Sequence, residues 1–239
     1  TDDGGNIIID GGLSANARGG SVIVQSGASD RTSSGHLTLK TADSAKVTYV
    51  RSQTPQTSGN ITFETGLAYN GDSGDITLHT GEANYGKAGN MLMSAGSGNV
   101  GDGANITIVA GVTVHPKSTG GTVTIEGGIG WNDHIHDGGD GGNVILAGGD
   151  ARGRSKRDNG GEIIIQGGHA DYGTGGSITI ETGTGFDSSS GSISLKTANT
   201  FEDGNSGGIE IVSGLSIRGN SGLLNISSGN ALAGTAGNI

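Results

Sequence analysis

Gly59-Asn60-Ile61-Thr62-Phe63-Glu64-Thr65-Gly66 is followed fifteen residues later by Gly74-Asp75-Ile76-Thr77-Leu78-His79-Thr80-Gly81. Both stretches carry a glycine, then an aliphatic–x–aliphatic triplet one residue on, then a small residue and a second glycine. Working outward, the first glycine recurs at Gly5, Gly20, Gly35, Gly59, Gly74 and Gly89. Ala104 replaces it once, and it returns at Gly121, Gly142, Gly161, Gly176, Gly191, Gly207, Gly222 and Gly237. The chain therefore holds 14 repeats and the start of a fifteenth. Self-similarity at a short period is the mark of an array whose units bury apolar surface only against their neighbours.

Numbering each repeat from its first glycine, position 3 is Val, Ile, Leu or Met throughout, as in Ile7, Val22, Ile61, Ile106 and Ile178. Position 5 is equally uniform, as in Ile9, Val24, Phe63, Ile108 and Ile180. Spacing by two places both side chains on one face of an extended segment. Position 4, on the other face, is often Thr but includes Ile8, Ile23, Leu92, Ile145 and Ile164. Position 10 is small, as in Ser14, Ser29, Ala68, Thr113, Ala170 and Ser216, and reads as the inward residue of an opposing wall. Glycine at positions 1 and 8 would turn the corners.

These columns predict an all-β, parallel β-solenoid (β-helix) running as one continuous body over residues 1–239, with a thin two-walled core. One coil per repeat gives about 14 coils, and at about 4.8 Å per coil a rod of roughly 67 Å. Two repeats per coil would halve that length. A column of Asn at position 2 (Asn6, Asn60, Asn90, Asn105, Asn143, Asn238) suits stacked side-chain amides. No polar, helical or proline-rich cap is visible at either end, so the array is expected to continue or to stack end to end.

Composition narrows the function classes. Of 239 residues 51 are glycine and 2 are proline, and glycine does not fall at every third position, which excludes collagen. A net charge of −10 argues against nucleic acid as a general partner. Cysteine is absent, which removes disulfides and thiolate metal sites. No apolar run reaches the length of a membrane-spanning helix.

The repeat lengthens in four places, always between position 10 and the next glycine. These are about 42–58, including Val47-Thr48-Tyr49-Val50 and Pro55, then 114–119, 131–140 and 151–159. The last three fall in consecutive repeats. In a solenoid they would project as one patch, where binding function usually sits. That patch would hold His115, Trp131, His134 and His136, with the basic run Arg152, Arg154, Lys156 and Arg157. Asp133, His134, His136 and Asp137 supply imidazole and carboxylate donors suited to a divalent cation. Asn60, Asn105 and Asn225 head N-glycosylation sequons.

Other motifs fail their context. Gly204-Asn205-Ser206-Gly207-Gly208 fits a nucleophile elbow by letters, yet no strand–turn–helix surrounds it. Gly71-Asp72-Ser73-Gly74 falls in the turn that every repeat contains. Gly96-Ser97-Gly98-Asn99-Val100-Gly101 has dinucleotide spacing but no helix after it. Asp137-Gly138-Gly139-Asp140-Gly141-Gly142 has the calcium-repeat pattern once only. No catalytic residue and no cofactor is expected, so the chain does not read as an enzyme.

The G-x-I-T-I-x-T-G units resemble repeats in large surface and extracellular β-solenoid fibre proteins of microbes, including microalgae. That resemblance implies a structural, extracellular or cell-surface role, with the chain itself as partner in a filament that assembles by end-to-end β-strand stacking. Two alternatives stand beside it. One is an adhesin that binds glycans through the 114–159 loops. The other is an ice-binding solenoid, because the period and the Thr-rich column resemble insect antifreeze solenoids. Those proteins carry two flat Thr columns, whereas position 6 here holds Glu64, His79, Gln166 and Lys196.

Overall fold

The structure is a computed structural model, and it describes residues 4–44 and 57–239. Most of the first insertion, including Val47-Thr48-Tyr49-Val50 and Pro55, lies outside the described residues. The chain divides into two units, Thr1–Ala110 and Gly111–Ile239, and the division falls between positions 7 and 8 of the seventh repeat.

Among the described residues there is no strand and no helix, so the β-solenoid expectation is overturned. The backbone hydrogen bonds show why. In the first unit the Gly20 N–H donates to the Gly12 carbonyl at 2.7 Å, and Gly35 donates to Gly27 at 2.9 Å. In the second unit Gly121 donates to Gly111 at 2.8 Å, Gly142 to Gly128 at 2.7 Å and Gly161 to Gly149 at 2.9 Å. Gly176 donates to Gly168 at 2.8 Å and Gly191 to Gly183 at 3.1 Å. Each bond joins position 8 of one repeat to position 1 of the next. It pinches positions 9 onward into a closed loop.

A solenoid needs position 1 of each coil stacked on position 1 of the coil before it. A seven-step strand would separate positions 1 and 8 by about 23 Å. A glycine held at position 8 therefore cannot also stack on the preceding position 1. In the seven repeats closed in this way the residues of the expected second wall lie within the loop. The 30-residue coil is not formed either, since the described residues contain no strand. Among the described residues no backbone hydrogen bond joins one aliphatic triplet to another, and no Asn at position 2 bonds another.

Small residues make the neck. In four repeats position 7 is itself glycine: Gly11, Gly127, Gly148 and Gly167. A Cβ on any of them would strike the carbonyl of the partner glycine across the neck, at Gly20, Gly142, Gly161 and Gly176 respectively. Elsewhere position 7 is Ser, Thr or Ala. A methyl group at Gly59 would lie 3.5 Å from Thr41 Cγ2, and one at Gly89 would lie 3.6 Å from Thr80 Cγ2. Close backbone approach, not positive φ, explains the position-7 glycines, whereas the contacts at Gly59 and Gly89 are of ordinary van der Waals length. Gly101 differs: its φ of 81° lies inside a loop, in a region that side chains disfavour.

Position 10 also has a different role from the one its size suggested. The Ser14 hydroxyl accepts from Ala17 N at 3.0 Å, Ser29 from Thr32 N at 3.0 Å, and Ser216 from Gly219 N at 3.0 Å. These are local side-chain-to-backbone turns that brace the loop from within. Positions 7 and 10 supply every half-buried residue of the described chain, among them Ser26, Thr65, Ala110, Ala170 and Ser216.

The aliphatic columns have no cover. Among the described residues no hydrophobic side chain is buried. Val123 at position 3 is 47% exposed, Ile125 at position 5 is 65% exposed and Ile164 at position 4 is 77% exposed. The alternation survives as a direction, with position 3 the more shielded in all repeats but those of Ile7–Ile9 and Ile209–Ile211, but it encloses no core. The chain exposes 25124 Å², against roughly 9,800 Å² for a compact monomer of this mass.

Replacing Gly167 by Val should open the neck of the tenth repeat, since the new side chain would meet the Gly176 carbonyl. Amide exchange at Gly176, followed by NMR, is expected to accelerate at least about tenfold, the loss of one backbone bond. Gly168→Ala, at the position-8 glycine of the same neck with open space around it, should leave exchange at Gly176 unchanged.

Candidate functional site

The insertions of the second unit lie inside the same glycine necks. The Gly111–Gly121 neck encloses 114–119, the Gly128–Gly142 neck encloses 131–140, and the Gly149–Gly161 neck encloses 151–159. Added residues lengthen the loop without disturbing its two ends, which is why the repeat resumes in phase after each insertion.

In the first of these loops Ser118 N donates to the His115 carbonyl at 3.3 Å, and Lys117 takes a φ of 65° to close the turn. His115 Nδ1 lies 3.0 Å from Ser118 Oγ, so the imidazole folds back on its own loop.

The second loop is tied by Asn132. Its side-chain carbonyl accepts from His134 N at 2.9 Å, and its backbone carbonyl accepts from Gly139 N at 3.4 Å. No side chain would fit at Gly130, whose Cβ would meet the backbone of Gly139 and Asp140. His134 and His136 come together edge to face, with ring centroids 6.1 Å apart, and His134 Nδ1 accepts from His136 N at 3.4 Å. That bond leaves Nε2 to carry the proton of a neutral His134 ring. Asp133 and Asp137 do not complete the pair: among the described residues no three His, Asp or Glu side chains converge on one point. Trp131 extends from the loop, 93% exposed.

The third loop is built around Asp158. Its carboxylate accepts from Ser155 N at 3.0 Å, its own N–H donates to the Ser155 carbonyl at 3.1 Å, and Arg157 N donates to Ser155 Oγ at 3.1 Å. Gly153 sits against the same carboxylate, too close for any side chain. Arg152 pairs with Asp150 at 3.3 Å. Among the described residues Arg154, Lys156 and Arg157 have no carboxylate partner.

Each loop is thus ordered by its own bonds. Among the described residues no hydrogen bond or ion pair links one loop to another. His115, the His134–His136 pair and the basic run stand as three separate groups, because the coil stacking that was to align them does not form. Asn60, Asn105 and Asn225 are exposed. Sequence reasoning missed the His169–Asp171 pair at 3.4 Å and the Lys40–Asp43 pair at 3.0 Å. Their close spacing was the available signal, although exposed pairs of this kind contribute little.

No family model, no curated protein and no solved structure matches the chain.

Trp131 is the sole tryptophan and so reports on its loop without labelling. Its emission in dilute solution should fall at the wavelength of free indole in water, and iodide should quench it as freely as it quenches a model amide of tryptophan. A blue-shifted, protected signal would show the loop packed on the body of the chain.

Proposed function

We propose that the chain is a structural, self-associating protein, a subunit or segment of a fibre in which the aliphatic segments of neighbouring copies cover one another. One observation carries this reading. Positions 3 and 5 present 29 apolar residues at a nearly constant period, and nothing within the described chain covers them. Each fully buried Val, Leu or Ile contributes about 1.5–3 kcal/mol, so leaving them all in water is a large standing penalty. Extended segments with unpaired N–H and C=O groups are also templates for pairing with another chain.

The occupant of this surface is a second copy. A partner must present apolar groups in the same order and spacing to engage every repeat at once, and a copy does so by construction. Many weak contacts in register then act together, because each engaged repeat raises the local concentration for the next. The loops stay clear of this contact, since their necks hold them off the aliphatic segments. The resemblance of the repeat unit to those of microbial surface proteins supports an extracellular setting. The flat threonine array that ice binding needs has no sheet to carry it among the described residues.

Sedimentation velocity with negative-stain electron microscopy tests this reading. The purified chain should pass from small species to elongated assemblies as concentration rises. Changing Ile76, Ile106, Ile178 and Ile193 together to Ser should raise the concentration needed by at least about a hundredfold, since each change removes roughly 1.5 kcal/mol or more of burial. A wild-type chain that stays monodisperse over the whole range would contradict the proposal.

A further inference from the structure

We propose that the third loop is a processing site, cut after Arg157 by an endoprotease whose specificity pockets are acidic. The loop reads Arg152-Gly153-Arg154-Ser155-Lys156-Arg157-Asp158. It holds four of the 13 basic residues of an otherwise acidic chain, and Lys156-Arg157 is the only adjacent basic pair in the sequence. Counting back from the Arg157–Asp158 bond, cations occupy the first, second, fourth and sixth residues before the cut. A protease binds its substrate as an extended strand, with alternate side chains entering pockets on opposite sides. Cations at the first, second and fourth places offer one charge to each of three neighbouring pockets, and carboxylates lining those pockets would pair with them.

The fold presents this sequence for cutting. Every residue from Asp150 to Gly160 is exposed, and the loop leaves and rejoins the chain at the Gly149–Gly161 neck. Arg154, Lys156 and Arg157, the three cations nearest the cut, are the ones without a carboxylate partner among the described residues. The bond itself lies in the turn from Ser155 to Asp158, held by three local hydrogen bonds and no buried side chain. Such a turn opens locally at little cost, and exposed loop tips of this kind are where nicking concentrates. In the reaction water adds across the Arg157–Asp158 peptide bond. The hydroxyl goes to the Arg157 carbonyl carbon and the C–N bond breaks. Protons pass to the Asp158 nitrogen, leaving a carboxylate on one fragment and an ammonium group on the other.

The site is independent of the self-association reading, because the loop lies outside the aliphatic segments. Cutting would divide the second unit between its ninth and tenth repeats. The test treats the full chain with a subtilisin-type endoprotease selective for paired basic residues and, separately, with trypsin, reading products by intact mass. The selective enzyme is expected to give two fragments only, 1–157 and 158–239. K156Q/R157Q should abolish the cut, and Arg154→Gln should slow it about tenfold or more, as losing one matched charge in a pocket does. Trypsin should attack after Lys156 or Arg157 well before the isolated Arg18 or Lys87. An intact chain under conditions that cleave a free peptide of residues 150–161 would overturn the proposal, as would an unaltered rate for Arg154→Gln. Resistance to cutting, with retention on a sulfated polysaccharide that R154Q/K156Q/R157Q abolishes, would instead make the run a polyanion-binding site and would also overturn it.

Discussion

The hydrogen bond from a position-1 glycine N–H to the preceding position-8 glycine carbonyl is the constraint on which the rest depends. Seen in seven repeats, among them at Gly20–Gly12, Gly142–Gly128 and Gly176–Gly168, it fixes where those loops begin and end. A side chain is excluded at positions 1 and 7 of the neck, as the blocked Cβ positions at Gly20, Gly176, Gly11 and Gly167 show, whereas the position-8 glycines Gly12 and Gly168 have open space around them. Once the neck is closed, positions 9 onward form a loop, and the aliphatic triplet is left with no opposing wall. Loop order follows from that contact in seven repeats; the aliphatic triplets are equally open in repeats without it, such as those of Ile61 and Ile76.

The period was legible in the sequence. Position 3 is more shielded than position 5 in most repeats, as the pairs Val123–Ile125 and Ile178–Ile180 show, with Ile7–Ile9 and Ile209–Ile211 reversed. What could not be read was the partner of each glycine. Gly12 and Gly20 are equally consistent with two corners of a coil and with two ends of a neck, because a glycine is tolerated in either arrangement. Position 10 was open to a local reading. Ser14, Ser29 and Ser216 are residues that favour bonding to a backbone N–H two or three places on, and they do so here. Taking them as inward residues of a wall supplied a core that the chain does not build.

The candidate site was legible residue by residue and not as an assembly. Asn132 before His134 signals a side-chain-to-backbone turn, and Asp158 after Ser155 signals another. Each loop could thus be expected to hold its own shape. The alignment of His115, His134 and Arg154 on one side depended on coil stacking, and it disappears with it. Function divides along the same line. Aliphatic segments at a constant period suit contact with other copies, whereas the loops, lengthened freely between fixed necks, are where distinct chemistry such as the basic run can be added.

Hydrogen exchange read by mass spectrometry across a dilution series tests the central claim most directly. In the most dilute samples, peptides covering the triplets at Ile61–Phe63, Val123–Ile125 and Ile178–Ile180 should exchange as freely as an unstructured chain. Only the neck glycines such as Gly142 and Gly176 should be slowed. Protection of the triplets should then rise with concentration. Triplets already protected in the dilute monomer, at a level independent of concentration, would show that the chain covers its own aliphatic face and would contradict the structure described above.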